Sequence, residues 1–427
     1  MVNEALMRTM RLTAIAGVAS LAAGCLVLLT GTVVSHSGDG APEREKWKAD
    51  YHRPSAIPFP AANPYTEAKS RLGRMLFFDP VVSGSGTHSC ASCHNPSLSW
   101  QDNLPCGIGD TMEAMAVRTP TLLNVAWVPK LGWDGHFRDL ESVAFGPITN
   151  PKIMNMPEKE LIERLSAIPG YVTAFRGAFG SGDISKRKIE LALATFERSI
   201  VSGEAPFDRW IKGDERAIND AAKRGFDLFN GKAHCAACHS GWTFSDASFH
   251  DVGVGKGGDI GRGKLFPTSV ELRYAFKTPT LRDVARRAPY MHDGSIATLN
   301  DVIDLYDRGG VDRPSRAEEI RPLGLTAQEK SDCGSCLATG TTMVAIPQSR
   351  PMASWPHSTW VGVRRCGRPH HSNRSPGIGP SAGSSTAASP VVFAGLTPGD
   401  PRGLPLRRPS CPVPAGPGGP WPRRSPW

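Results

Sequence analysis

With 427 residues, the chain is long enough to form two or three domains that each bury a hydrophobic core. Its formal net charge of +9 comes entirely from residues 333–427, which hold ten arginines and one acidic residue, Asp400. The other 332 residues carry 39 basic and 39 acidic side chains, so they have no charge excess that would attract a polyanion. The charge distribution therefore argues against a nucleic-acid-binding protein, and we predict no nucleic-acid partner.

The first 34 residues predict an export segment. Residues 12–34 contain no charged side chain and follow Arg8 and Arg11, which is typical of a signal peptide or of an uncleaved membrane anchor. The segment Leu21–Cys25 also resembles a lipoprotein cleavage site, but the apolar run continues beyond Cys25. We predict export to the periplasm, with the segment either cleaved or anchoring the chain to the inner membrane. Residues 35–64 are polar and proline-rich and are interpreted as a linker.

Two copies of Cys-x-x-Cys-His are the main chemical signal in the chain. They are Cys90-Ala-Ser-Cys93-His94 and Cys235-Ala-Ala-Cys238-His239. In each copy, two thiols three positions apart can form thioethers to one porphyrin, and the adjacent imidazole can ligate its iron. A zinc site or a disulfide pair is the alternative, but zinc usually needs four ligands, and neither copy has a partner motif nearby. The motifs predict two covalently bound c-type haems, with His94 and His239 as iron ligands.

An internal repeat predicts two domains. Residues 118–126 read Arg-Thr-Pro-Thr-Leu-Leu-Asn-Val-Ala, and residues 277–285 read Lys-Thr-Pro-Thr-Leu-Arg-Asp-Val-Ala. Each copy follows a Cys-x-x-Cys-His motif and precedes an Asp-Gly pair, which indicates a tandem duplication. Arg187–Ile200 has apolar side chains at helical spacing, and no strand-like alternation is sustained. We predict an all-α fold of two tandem cytochrome c-like domains, residues 65–201 and 217–332, joined by a linker at residues 202–216.

Residues 333–427 do not continue the domain pattern. They contain 17 of the 37 prolines but no lysine and no glutamate. Thr326–Glu329 has the form of a capping box that should open a final helix, but the helical pattern is lost after Asp332. Cys333-Gly-Ser-Cys336 lacks a following histidine, so we expect no third haem. The segment is interpreted as a disordered tail, either natural or produced by a shifted reading frame.

Residues 63–332 resemble the bacterial di-haem cytochrome c peroxidase superfamily, in particular its MauG-like (methylamine-utilisation) branch. The segments that carry the resemblance are His88–Asn95, Trp133–Gly135, Phe145–Pro147, Ile168–Tyr171, Ala288–Gly294 and Leu323–Glu329. The resemblance implies two all-α haem domains with their haems facing each other. The N-terminal haem would meet peroxide, and the second haem would store or relay oxidising equivalents.

The resemblance also implies roles for three further residues. Tyr306 lies fourteen residues after His292, where cytochrome c peroxidases have a methionine ligand, so it would ligate the second iron as in MauG-like proteins. A phenolate stabilises ferric iron and lowers the reduction potential. Trp133 would carry electrons between the haems, and Arg282 would pair with a haem propionate. The alternatives are ordinary core aromatic residues for Tyr306 and Trp133 and a surface ion pair for Arg282.

The chain departs from the family pattern around the first haem. Ile153 stands where the peroxidases have a glutamate that acts as acid and base on peroxide, and an aliphatic side chain cannot transfer a proton. Neighbouring segments offer three carboxylates as replacements: Asp110, Glu113 and Glu158. Asp110 also replaces a histidine that closes the first haem of the peroxidases, which implies an open haem here.

The family's interdomain calcium site is also altered. It uses an asparagine that falls on Arg118 in this chain. Carbonyl groups of Arg287 and Pro289 remain available as ligands. A cationic side chain at position 118 repels calcium, so calcium binding is doubtful.

We therefore hypothesise an exported, MauG-like di-haem oxidoreductase. It would use hydrogen peroxide, or oxygen plus electrons, at an open N-terminal haem and exchange electrons with a Tyr-ligated second haem. Its partner would be a small redox protein that donates electrons or a protein substrate. The alternatives are a conventional di-haem cytochrome c peroxidase supplied by a small redox protein, and a non-catalytic di-haem electron-transfer protein, which Ile153 favours.

Overall fold

The computed structural model describes residues 41–341. The predicted export segment lies outside the described residues, as does the tail beyond Thr341. The described part is helical, with one short two-stranded sheet, which confirms the predicted all-α class. Within residues 41–341, no helix is both long and apolar enough to cross a membrane. The helices are α1 (Ala41–Lys48), α2 (Glu67–Phe78), α3 (Cys90–Cys93), α4 (Leu140–Thr149), α5 (Glu158–Ser166), α6 (Pro169–Phe179), α7 (Lys186–Arg198), α8 (Pro206–Ile211), α9 (Asp220–Asn230), α10 (Leu299–Asp307) and α11 (Ala327–Thr339), and the antiparallel strands are β1 (Phe249–His250) and β2 (Phe276–Lys277).

In each half of the chain, the first and last long helices cross at a glycine. A Cβ atom on Gly73 of α2 would lie 2.0 Å from the carbonyl oxygen of Ala192 in α7. A Cβ atom on Gly225 of α9 would lie 2.0 Å from the carbonyl oxygen of Asp332 in α11. Only glycine lets two helix backbones approach this closely. The matching contacts support the predicted duplication.

The last helix extends beyond the end predicted for the second domain. Helix α11 begins with the expected capping box, in which Thr326 accepts from the Glu329 backbone N–H, but it continues to Thr339 instead of ending after Asp332. Cys333 and Cys336 are buried on its inner face. Gly334 and Ser335 weaken the helical signal in the sequence, and packing against α9 overrides that weak propensity.

The two segments predicted as linkers contribute to the core of the second half. Tyr51, which follows α1, and Phe207 and Trp210 of α8 are almost completely buried. The Tyr51 and Phe207 rings both pack against Phe226 of α9, at centroid distances of 5.3 and 5.8 Å. These aromatic side chains remove a large apolar area from water, which holds helix α8 and the residues after α1 against the second half.

Reciprocal hydrogen bonds join the two halves. The Arg118 backbone N–H donates to the His292 carbonyl at 2.9 Å, and the Lys277 backbone N–H donates to the Trp133 carbonyl at 2.8 Å. Arg118 and Lys277 are equivalent in the repeat, as are Trp133 and His292, which precede the Asp-Gly pairs. The duplicated segments therefore make the same bond in both directions across the interface.

Candidate haem sites and the cavity between them

The first attachment motif places its imidazole for metal binding. Cys90 and Cys93 lie at the ends of the short helix α3, and His94 follows directly. The Nδ1 atom of His94 lies 3.2 Å from the Trp100 carbonyl oxygen, which can only accept a hydrogen bond. Nδ1 therefore carries the ring hydrogen, and Nε2 is unprotonated. Burial lowers the pKa of His94, so the ring is neutral at pH 7. A neutral ring with a fixed tautomer is the form that ligates iron.

The second motif repeats this arrangement. The Nδ1 atom of His239 lies 2.8 Å from the Phe244 carbonyl, which leaves Nε2 free, and burial lowers the pKa of His239. Cys235 and Cys238 are half-buried free thiols. Each motif therefore presents two thiols and one unprotonated imidazole nitrogen, the donor set that a c-type haem requires.

Both motifs open into one continuous cavity of about 770 Å³. The four cysteines and two histidines of the motifs all line it, together with Trp133, Tyr306 and His292. The walls are mainly apolar, which suits a porphyrin. The residues present therefore fit a haem at each end of the cavity.

Tyr306 lies in helix α10 and lines the cavity at the second motif. Burial, together with the thiols of Cys235 and Cys238, raises the pKa of its hydroxyl. A phenol kept neutral by burial needs a compensating positive charge before it can ionise, and a metal ion supplies one. This position agrees with the role that the sequence predicts for Tyr306, which stays a prediction.

Trp133 lies where the two halves meet. Its indole N–H donates to the Arg118 carbonyl at 2.9 Å, and its ring lies 6.4 Å from the His292 ring in an edge-on arrangement. The His292 ring stacks on Phe276 and its Nε2 atom lies 2.7 Å from Asp259. Hydrogen bonds and ring contacts thus fix the orientation of the indole between the two motifs.

The predicted role of Arg282 stays a prediction. Arg282 does not line the cavity: it is completely buried, donates from Nε to the Trp242 carbonyl at 2.7 Å, and its Nη1 atom lies 2.8 Å from Asp208. It thereby holds helix α8 against the second domain. Arg287 does line the cavity, and its buried Nε atom, like the Nη2 atom of Arg282, has no hydrogen-bond partner among the described residues.

Helix α4 and the loops around it contribute an apolar wall to the cavity. Ile153 lines the cavity there, as the sequence predicts. Its apolar neighbours in this wall are Phe137, Leu140, Val143, Ala144, Pro147, Ile148 and Met154. A molecule bound here would find no proton donor in these side chains.

None of the three carboxylates considered as replacements lines the cavity. Asp110 accepts hydrogen bonds from Ser85 and pairs with His88 at 3.0 Å. Glu113 and Glu158 lie at the surface, where they pair with Lys152 at 3.4 Å and Lys186 at 3.5 Å. These contacts hold Glu113 and Glu158 at the surface, whereas Asp110 is one contact away from the cavity, because its partner His88 lines it.

A carboxyl group that the sequence analysis missed does line the cavity. Glu197 of helix α7 lies near Cys90, and its Oε2 atom is buried without a hydrogen-bond partner among the described residues. Burial raises the pKa of Glu197 to about 8, so the group is mostly protonated at neutral pH. Its neighbour Arg198 pairs with Glu141 at 2.6 Å instead. The helical spacing of apolar residues in α7 puts Glu197 next to the buried face. Nothing in the sequence indicated that its carboxyl would lack a hydrogen-bond partner there.

Two helical halves that present paired Cys-x-x-Cys-His motifs to one cavity have the arrangement expected of a di-haem c-type cytochrome. Comparisons with known proteins agree. The profile of the di-haem cytochrome c peroxidase family matches residues 67–216. The chain is 53% identical over 294 residues to the methylamine utilization protein MauG of Methylorubrum extorquens, an alignment that covers 68% of this chain and 83% of that protein. It is 35% identical over 270 residues to the cytochrome c551 peroxidase of Nitrosomonas europaea, covering 62% of this chain and 80% of the relative.

The fold is also similar to that of a MauG-like protein associated with microbial copper homeostasis. The TM-score is 0.65 at 30% identity, and the match covers 69% of this chain and 97% of the other. The chain belongs to the di-haem cytochrome c peroxidase family, which confirms the resemblance seen in the sequence, and it is an oxidoreductase of MauG-like type.

Proposed function

We propose that the protein is an exported di-haem oxidoreductase that binds peroxide, or oxygen with electrons, at a haem held by His94. It exchanges oxidising equivalents with a second haem held by His239 and Tyr306. The observation that carries this proposal is the single cavity that joins both attachment motifs with Trp133 between them. When bound, the haems supply the redox chemistry. Cys90 and Cys93 would hold the first porphyrin, and Cys235 and Cys238 the second.

At the first haem, the protein's own contribution would be His94 as ligand and an apolar wall around Ile153. Among the described residues of this wall, only Met154 carries a potential iron ligand, and it is almost completely buried in the core of the first half. A haem held by His94 alone would be accessible to a small oxidant. Proton transfer beside this wall would be slow because the wall is apolar.

At the second haem, Tyr306 distinguishes the MauG-like proposal from a conventional peroxidase. A phenolate ligand holds the iron ferric, whereas a methionine thioether favours ferrous iron. Arg287, which lines the cavity and has an unpaired buried Nε atom, would be a second group beside Arg282 that balances a haem carboxylate. Trp133, held by Arg118 and His292, would shorten each electron-transfer step between the haems.

The reducing partner would act from outside the cavity. Relatives that include cytochrome c551 peroxidases favour a small redox protein donor, and a protein substrate is the alternative. A periplasmic location follows from the predicted export segment and from the need to attach haem outside the cytoplasm.

Electron paramagnetic resonance of the resting oxidised holoprotein tests the ligand assignment. We expect one five-coordinate ferric haem and one His/Tyr ferric haem. Replacing Tyr306 with methionine should raise the reduction potential of the second haem alone. Tyr290→Phe is the matched control, because Tyr290 also lines the cavity but donates its hydroxyl to the Val284 carbonyl at 3.1 Å. An unchanged potential in Tyr306→Met would refute Tyr306 ligation.

The apolar wall around Ile153 supports a second candidate, a non-catalytic electron-transfer protein. Addition of one equivalent of hydrogen peroxide to the diferric protein separates the two. The proposed oxidoreductase retains both oxidising equivalents and returns them to an added donor. An electron-transfer protein leaves its visible spectrum unchanged.

A further inference from the structure

Arg118 occupies a cage of oxygen atoms between the two halves. Its guanidinium donates to the Pro289 carbonyl, to the Arg287 carbonyl at 3.0 Å and to the Gln101 side-chain oxygen at 2.5 Å. The side chain is buried, with 6% of its surface exposed. Three acceptors contributed by both halves therefore surround one cation. Convergent carbonyl and amide oxygens are also the ligands that hard divalent cations prefer.

Calcium does not fit this cage as it stands. The guanidinium fills the space at the oxygen atoms, and Arg287 adds a second buried positive charge close enough to influence Arg118. A guanidinium stays protonated at neutral pH. Two fixed positive charges in a poorly solvated site oppose the entry of a doubly charged ion.

We propose that Arg118 is a built-in cation that joins the two domains in place of a bound divalent ion. The same residue accepts the indole N–H of Trp133 with its carbonyl and donates its backbone N–H to His292. The backbone of Arg118 thus contacts Trp133 and His292, while its side chain fills the oxygen cage. The geometry between the haem domains then depends on no exchangeable metal.

The first test uses the wild-type holoprotein and needs no turnover. Calcium content is measured by mass spectrometry after purification, and thermal unfolding is followed in excess EDTA and in excess calcium. We expect substoichiometric calcium, one melting temperature in both buffers and identical visible spectra. Stoichiometric calcium, or a melting temperature that falls in EDTA, would overturn the proposal even if the proposed function is correct.

The second test replaces Arg118 with asparagine, which removes the cation and leaves the oxygen atoms. Saturating calcium should then raise the melting temperature by about 5 °C, as expected for a ligand near 100 times its Kd. Arg118→Lys keeps a positive charge and should show no calcium response. If Arg118→Asn is recovered only from calcium-containing medium, that dependence is itself the expected result. If it is recovered with no calcium response, the proposal fails.

Arg262→Asn is the matched control. The Arg262 guanidinium also donates across the interface, to the Asp134 carbonyl at 2.8 Å and the Gly135 carbonyl at 3.4 Å, but both acceptors come from one half, and Phe249 and Phe266 cover the guanidinium. It should lose interface stability without any gain in calcium response. A calcium response of equal size in Arg262→Asn would show that the effect is not specific to the Arg118 cage.

Discussion

Glu197 should destabilise the protein at neutral pH, and replacing it with glutamine should reverse that effect. The carboxyl is buried without a partner for Oε2, and its pKa is raised from an ordinary value of about 4.5 to about 8. Between these values the folded protein binds a proton that the unfolded chain releases. The contribution of Glu197 to the free energy of unfolding is therefore fully present below pH 4.5 and is lost as the pH rises toward 8.

The size of this destabilisation follows from the pH range between the two pKa values, about 4.5 and about 8. Each pH unit above 4.5 costs about 1.4 kcal/mol, so at pH 7 the penalty is at most about 3.5 kcal/mol. Glutamine cannot ionise and has nearly the same shape. Glu197→Gln should match the wild type near pH 4.5 and exceed it at pH 7, with a melting temperature higher by roughly 5–10 °C.

Thermal unfolding of both holoproteins across pH 4.5–8 measures this difference directly, because the other titrating groups cancel between them. Glu190→Gln is the control on the same helix, where Glu190 pairs with Arg187 at 3.5 Å near the surface. A stability difference between Glu197→Gln and the wild type that does not change with pH would show that Glu197 is not held protonated.

Three further changes test the cavity and the helix crossing. Ile153→Glu places an acid on the open side of the first haem and should speed the reaction with peroxide by about 10²-fold, measured by stopped-flow absorbance. Trp133→Phe should slow electron exchange between the haems, whereas Trp127→Phe, which also alters a cavity-lining tryptophan, should not. Gly225→Ala places a Cβ atom 2.0 Å from a carbonyl oxygen of α11, so we expect a loss of roughly 1–3 kcal/mol in the free energy of unfolding.

The parts of the site that the sequence predicted are those encoded locally. A Cys-x-x-Cys-His motif fixes the thiols and the imidazole within five residues, so no tertiary knowledge is needed to place them together. The internal repeat predicted two domains because both copies are visible along the chain. Ile153 was also placed correctly on the cavity wall, because its segment keeps the family spacing.

The parts that were missed depend on contacts between distant segments. Arg282 and Arg287 lie five residues apart, and the sequence could not show that Asp208 pairs with Arg282 and leaves Arg287 at the cavity. Similarly, Arg198 rather than Glu197 meets Glu141, so one carboxyl is neutralised and the next is left unpaired. Helix α11 was cut short because local propensity is weak where tertiary packing is strong.

The duplication explains both the symmetry of the interface and where function departs from it. The residue before each Thr-Pro-Thr-Leu sequence donates a backbone hydrogen bond to the residue before the other half's Asp-Gly pair. This pair of backbone hydrogen bonds is therefore nearly two-fold symmetric. Side chains at the equivalent positions differ. Trp133 offers an oxidisable ring, whereas His292 is bound to Asp259. Arg118 fills an oxygen cage, whereas Lys277 donates to the Lys130 carbonyl and burial lowers its pKa to about 8. Because the backbone bonds do not depend on these side chains, the two halves could specialise without weakening the contact that holds their haem sites together.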